Sequence, residues 1–357
     1  MKRVAIIGLG VIGASLGMAL QSVRPELEIL GLDIDPVTVE KAIEMAAISR
    51  PLLNWELGGC EVVFIAAPLR MIPQVLMQIR DKLDPDTIVT DVGSVKSWVM
   101  QQYAEYLPPG IIAIGGHPLA GSDRSGITGA DRYLLQNAVY VLTPSPTATA
   151  AKVEQLQELL AETGAQVTIL SPAAHDQMVS KVSHLPHLVA ASLMNNLAKQ
   201  PEAMRLAAGG LRDTTRIAAS NPSLWEDILL LNGGSVVQEI DGLISQLQRY
   251  RQAIVSQDGD ELAKYLSAAQ QMRKNLPICR SSLLTSADIV AIVPDKPGII
   301  GSLGNMLGAA GININDIQIM GVRDENEGSI RLGVPQAQVQ PALRLLKENG
   351  IRAWLRE

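Results

Sequence analysis

At 357 residues the chain is too long for one ordinary domain and predicts two or three. A formal charge of −6, no Lys/Arg cluster and only 3% aromatic residues argue against nucleic acid as a partner. Cys60 and Cys279 stand far apart and outside any Cys/His ligand spacing, so a structural metal or disulfide framework is not expected, and packing thiols in a reducing cytoplasm fit.

Residues 2–7 form a strand-like apolar run, Gly8-Leu9-Gly10-Val11-Ile12-Gly13 follows, residues 11–21 read as a helix, and residues 27–32 form a second strand ending at Asp33. In that strand–turn–helix setting the glycines form a dinucleotide fingerprint. Gly8 permits a tight turn, Gly10 lets backbone approach a pyrophosphate, Gly13 lets helix and strand pack closely, and the helix N-terminus offers free N–H groups to the anion. Asp33 is expected to accept the adenosine ribose hydroxyls. With Asp35 beside it and no Arg at position 34, its charge disfavours a 2′-phosphate, so NAD is expected over NADP. The uncharged stretch after Met1-Lys2-Arg3 could also be read as a secretory signal or a membrane span. Its many glycines, the missing cleavage site and the βαβ continuation argue for a soluble chain with no membrane partner.

Further strand-like runs occupy residues 62–66, 88–91, 111–114, 139–142 and 167–170, alternating with helix-length stretches at 36–46, 71–82, 96–106 and 147–163. Continuous apolarity means strands covered on both faces, and alternation with helices means a parallel, doubly wound α/β sheet over residues 1–170. Ala67 and Pro68, after the third run, complete the expected cofactor set of Gly8, Gly10, Val11, Ile12, Gly13 and Asp33.

From residue 171 to 282 helical spacing takes over. Val236, Val237, Ile240, Leu243, Ile244, Leu247, Tyr250 and Ile254 form an apolar stripe, read first as core and, by its length, as suited to a dimer interface. Residues 286–357 change pattern again. Strands at 288–293, 312–319 and 329–334, a helix to about 310 and a closing helix at 339–347 make a βαββαβ, ferredoxin-like unit.

Four histidines are available to chemistry: His117, His175, His184 and His187. His117, in Gly115-Gly116-His117-Pro118-Leu119-Ala120-Gly121-Ser122-Asp123, is expected in a loop just after a sheet strand, where open α/β sheets bind ligands. Ser183-His184-Leu185-Pro186-His187 places two histidines one helical turn apart, without a third metal ligand. His175, beside Asp176, reads as a partly exposed surface residue. In Gly209-Gly210-Leu211-Arg212-Asp213-Thr214-Thr215-Arg216, Asp213 reads as a helix cap, with Arg212 and Arg216 on one face of the ensuing helix. An arginine fork there suits a carboxylate-bearing substrate.

Five segments taken together resemble the prephenate dehydrogenase family: the glycine fingerprint, Thr90-Asp91-Val92-Gly93-Ser94-Val95-Lys96, Gly116-His117-Pro118-Leu119-Ala120-Gly121, Ser183-His184-Leu185-Pro186-His187 and Asp213-Thr214-Thr215-Arg216-Ile217-Ala218. The terminal unit, with Asp295-Lys296-Pro297-Gly298 and Gly311-Ile312-Asn313-Ile314-Asn315, resembles an ACT domain. The resemblance implies NAD-dependent oxidative decarboxylation of prephenate to 4-hydroxyphenylpyruvate, in a homodimer. It implies His117 as base, Ser94 as its orienting partner, Arg216 as carboxylate anchor, and Ser183, His184, His187, Asp123 and Trp225 around the substrate. Asp123 departs from the Glu that family members often carry. Tyrosine as effector is expected near Asp295, Gly298 and Asn313. Arogenate as substrate and a non-catalytic NAD and amino-acid sensor stand as rival readings; clustered Ser94, His117 and Arg216 argue against the sensor.

Overall fold

The computed structural model describes residues 1–121, 124–276, 286–324 and 327–356. It divides into two compact units, residues 1–270 and 271–357. The first unit opens with β1 (Arg3–Ile7), α1 (Val11–Val23), β2 (Glu28–Leu32), α2 (Pro36–Glu44), β3 (Arg50–Pro51), β4 (Val62–Ile65), α3 (Ile72–Ile79), β5 (Ile88–Asp91) and α4 (Lys96–Tyr106). Then come β6 (Ile112–Pro118), β7 (Val139–Pro144), α5 (Ala150–Glu162) and β8 (Gln166–Ile169). The sheet runs β3-β2-β1-β4-β5-β6-β7-β8. The chain builds outward from β1 to β3 and then returns to the other side of β1, so the order reverses between β1 and β4. A crevice opens at the carboxyl ends of the strands at such a point.

Alternate residues of each strand enter separate cores. Val4, Ile6, Phe64 and Ile88 pack on one face of the sheet, and Ala5, Ile7, Val63, Ile65 and Val89 on the other. Covering both faces is the physical reason these strands read as unbroken apolar runs. The sheet is not wholly parallel, because β6 pairs antiparallel with β7, from Ile114 opposite Pro144 to Pro118 opposite Tyr140. That pairing extends β6 four residues beyond the expected end, and His117 lies on the strand rather than in a following loop. Gly115 and Gly116 hide the extension from sequence reading, since glycine is a weak strand former. Both are required: a Cβ on Gly115 would sit 2.3 Å from the Thr143 hydroxyl, and one on Gly116 would sit 2.3 Å from the Asp91 carbonyl.

The same unit continues with α6 (Pro172–Val179), a π-type turn at Ser180–His184, and α7 (Leu185–Leu197). Next come α8 (Gly209–Thr215), α9 (Pro222–Leu231), α10 (Gly233–Val255) and α11 (Gly259–Asn275), which runs past the division at residue 270. The Ser171 hydroxyl caps α6 and the Asn221 side chain caps α9, each with Pro at the first helical position. Asp213 is not a cap; it lies inside α8, whose N-cap is Ala208. The α10 stripe is not core on this chain. Val236 is buried, but Val237, Ile244, Leu247 and Ile254 are exposed, at 56%, 46%, 57% and 61%. Among the described residues, no helix is long and apolar enough to cross a membrane.

The second unit contains β9 (Ser286–Pro294), α12 (Ile299–Ala309), β10 (Asp316–Asp324), β11 (Glu327–Pro335), α13 (Val339–Glu348) and β12 (Arg352–Leu355). Its sheet order is β10-β11-β9-β12 with every pairing antiparallel. Ile289, Ala291, Ile330 and Leu332 pack beneath Leu303, Leu307 and Leu346 of the two helices. The strand expected from residue 312 begins at Asp316 instead. The Asn313 side chain donates to Asn315 Oδ1 at 2.6 Å, and short amides satisfied locally in this way favour turns over ladders.

Candidate active site

The glycine loop is shaped as its sequence requires. Gly8 sits at φ +97°, and a Cβ there would overlap the Ala66 carbonyl at 2.5 Å. A Cβ on Gly13 would lie 2.0 Å from the Gly8 carbonyl, whereas one on Gly10 would meet nothing within 4 Å. Gly8 and Gly13 are therefore fixed by packing, whereas nothing in the chain itself crowds Gly10, which borders open space. The α1 N-terminus receives no side-chain cap and no acidic residue in its first turn, leaving Val11 and Ile12 at an end able to receive an anion. Asp33, just past β2, accepts the Leu9 N–H at 2.8 Å and the Asp35 N–H at 3.0 Å, which fixes its carboxylate at the rim of the loop. Asp35 caps α2. Ala67 and Pro68 follow β4, on the far side of the strand-order reversal. These features fit a dinucleotide.

His117 is the next-to-last residue of β6, on the same carboxyl edge of the sheet as the glycine loop. It is 8% exposed, and its Nδ1 lies 2.7 Å from Nε2 of His175. The expectation of a surface His175 is overturned: the ring is 0% exposed, held between His117 and Asp176, whose Oδ1 is 2.8 Å from its Nδ1. Asp176 also accepts the backbone N–H groups of Lys96, at 2.7 Å, and Ser97, at 2.8 Å. Burial pushes the Asp176 carboxyl up, but His175 and these donors outweigh it and hold the group below the usual carboxylate range. Burial, reinforced by His175, Lys96 and His184, holds His117 well below the ordinary imidazole value. A neutral ring beside an open crevice is a competent base.

Beneath His117 lies an ion pair that sequence reading passed over. Lys96 and Asp91 are both 0% exposed, and the Lys96 ammonium bonds Asp91 and, at 2.6 Å, the Gly116 carbonyl. Asp91 also accepts from Gly93 N at 2.8 Å, Gly116 N at 3.0 Å and the Tyr103 hydroxyl at 3.2 Å. The network fixes the backbone on either side of Gly116 and so the placement of His117. Its sequence signal is an acid at a strand end five residues before a lysine, in the segment that also holds Ser94. Ser94 lies half-buried between β5 and α4.

The helical portion supplies the opposite wall. His187 stacks on Trp225 with ring centroids 3.7 Å apart and planes 6° from parallel, and His184 meets the same indole edge-on at 6.0 Å. Burial takes His184 down to about 4, and lowers His187 against the opposing influence of the Ile217 backbone. Asn232, between α9 and α10, donates to the Asp176 carbonyl at 2.9 Å and lies 3.2 Å from His184 Nδ1. Sequence reading missed this asparagine, which ties the His184 side of the site to the His117 side. Ser183 is half-buried in the π-type turn. Arg212 and Arg216 are exposed, with Arg216 opening the short helix after α8. Arg70, after Pro68, pairs with Asp227 of α9 at 2.5 Å. Asp123 and Cys279 lie outside the described residues. Cys60 is buried, and burial raises its thiol to about 11. Among the described residues, no group of three or more His, Cys, Asp or Glu could hold a metal.

In the second unit, a cleft of about 460 Å³ is lined by residues 293–301 together with Ile319, Gly328 and Ile330. Asp295 and Gly298 belong to that lining, with Gly298 at φ +86° opening α12. Asn313 is not among the lining residues; its N–H donates to Gln338 Oε1 at 3.3 Å.

Known proteins are similar to this chain in sequence and in fold. The family description "Prephenate dehydrogenase, nucleotide-binding domain" matches residues 16–169, "Prephenate dehydrogenase, dimerization domain" matches residues 171–268, and "ACT domain" matches residues 287–349. Prephenate dehydrogenase of Bacillus subtilis (strain 168) is 34% identical over 337 residues, covering 92% of this chain and 91% of its own. The crystal structure of prephenate dehydrogenase from A. aeolicus in complex with hydroxyphenyl propionate and NAD+ superposes with a TM-score of 0.73 at 30% identity, covering 78% of this chain and 99% of that one. Synechocystis arogenate dehydrogenase superposes with a TM-score of 0.69 at 31% identity, covering 77% of this chain and 100% of that one.

Proposed function

The chain belongs to the prephenate dehydrogenase family, and on that premise we propose that it oxidises prephenate with NAD+, releasing CO2 and 4-hydroxyphenylpyruvate. The observation that carries the reading is a neutral, buried imidazole, His117, at the carboxyl edge of a sheet whose glycine loop fits a dinucleotide. The bound nicotinamide supplies the hydride acceptor. His117 takes the proton of the ring hydroxyl as the alcohol carbon is oxidised, and is placed to return it to that oxygen once loss of CO2 has made the ring aromatic. A positioned base of this kind contributes about 10²- to 10⁴-fold.

Ser94 orients the ring hydroxyl toward His117. Arg216 holds a substrate carboxylate, a charge-assisted bond of about 1.5–3 kcal/mol. His184, His187, Ser183 and Trp225 line the substrate side, with Asp123 assigned there on the motif alone. Asp33 receives the adenosine ribose, Gly10 faces the pyrophosphate, and Ala67 and Pro68 close the cofactor crevice.

The exposed α10 stripe lies in the segment matched by the dimerisation-domain description, and supports a homodimer. Tyrosine is the proposed effector, taken up by the second unit at the cleft carrying Asp295 and Gly298, with Asn313 assigned to it on the motif alone. Spectrophotometric NADH formation, run in parallel with prephenate and arogenate, tests the reading. Turnover with prephenate and little with arogenate is expected; the reverse makes the enzyme an arogenate dehydrogenase, and none with either refutes the activity.

A further inference from the structure

We infer that His175 and Asp176 form a relay that sets the tautomer of His117, holding its proton on Nδ1 and leaving Nε2 bare toward the crevice. This rests on the reading of His117 as the base. An ionised carboxylate only accepts hydrogen bonds, so Asp176 requires a proton on His175 Nδ1, 2.8 Å away. A neutral ring with Nδ1 protonated has a bare Nε2, which can only accept. That nitrogen lies 2.7 Å from His117 Nδ1, which must then carry the proton. His117 Nε2 is left with its lone pair, the form that can take a proton from an alcohol. Asp176 is itself fixed by the N–H groups of Lys96 and Ser97 at the start of α4, so the chain of constraints ends in helix backbone.

The buried setting makes the relay decisive. With His175 fully buried, water is not available to serve either nitrogen in its place. The rings meet edge to face, 69° between planes and 5.0 Å between centroids, which directs the nitrogens at one another rather than stacking them. The same reasoning reaches His184. Asn232 must present its amide nitrogen to the Asp176 carbonyl, so the His184 Nδ1 it also faces is an acceptor, and His184 carries its proton on Nε2. One imidazole of the site is thus built to accept and the other to donate. His175 and Asp176 are positioning residues, acting through His117.

Four histidines in the whole chain make the tautomers directly readable. In full-length protein labelled with ¹⁵N-histidine, long-range ¹H–¹⁵N spectra at pH 7.5, assigned by single histidine substitutions, should show His117 and His175 protonated on Nδ1 and His184 on Nε2. His175→Leu should lower kcat about 100-fold or more, leave KM for prephenate within about threefold, and give His117 a mixture of tautomers. His175→Gln, whose amide oxygen can accept the His117 Nδ1 proton, should recover at least about tenfold of the loss. A resting His117 protonated on Nε2, or His175→Leu with kcat within twofold of wild type, overturns the inference. The spectra need no substrate, so failure to oxidise prephenate would refute the proposed activity without touching the relay.

Discussion

Replacing Lys96 by Met tests how far the site depends on the ion pair beneath it. Lys96 and Asp91 are both fully buried, and removing one partner of such a pair typically costs about 3–5 kcal/mol because it strands the other charge. Asp91 would keep three donors, from Gly93, Gly116 and Tyr103, which places the expected loss at the low end, about 3 kcal/mol. Met preserves the volume of the lysine stem, so a cavity adds little. At roughly 2–4 °C per kcal/mol for a unit of this size, the melting temperature should drop by about 6–12 °C. Urea unfolding of the purified variant reads the free energy, and a parallel assay reads kcat, which should fall because Lys96 also tethers the Gly116 carbonyl next to His117. A loss below about 1 kcal/mol with unchanged kcat would refute the reasoning.

Gly10→Ala should fold normally, with a melting temperature within about 2 °C of wild type, yet bind NAD+ at least about tenfold more weakly by calorimetry; equal affinity would remove the loop from the cofactor site. Acid should destabilise the enzyme through His184. Its neutral form is the one buried, so the unfolded chain binds the proton first, and stability complete above about pH 6.5 is lost as pH falls toward about 4. That difference is worth about 3 kcal/mol, and urea unfolding across this range should show a slope that His184→Gln flattens. Deleting residues 283–357 should leave NADH formation in place and abolish inhibition by tyrosine; tyrosine inhibition that survives the deletion would place the effector elsewhere.

Patterns with a period were legible in the sequence. The βαβ glycine unit, the apolar strands buried on both faces and the terminal βαββαβ unit all announce themselves through spacing. What stayed hidden depends on partners distant in the chain. The extension of β6 to Pro118 exists because β7 returns antiparallel beside it, and its two glycines carry no strand signal. His175 looked like a surface residue because nothing local places it against His117, 58 positions earlier, and Asn232 joined the site only through the turn between α9 and α10. The α10 stripe shows the reverse case: its apolar periodicity was plain, but a single chain leaves it uncovered, and periodicity does not say which surface will bury it.

The central claim is that His117 removes the proton from the substrate alcohol. Turnover of His117→Asn at saturating prephenate and NAD+ tests it most directly, and should fall about 10²- to 10⁴-fold with NAD+ affinity unchanged. A turnover number equal to wild type would take His117 out of the chemistry.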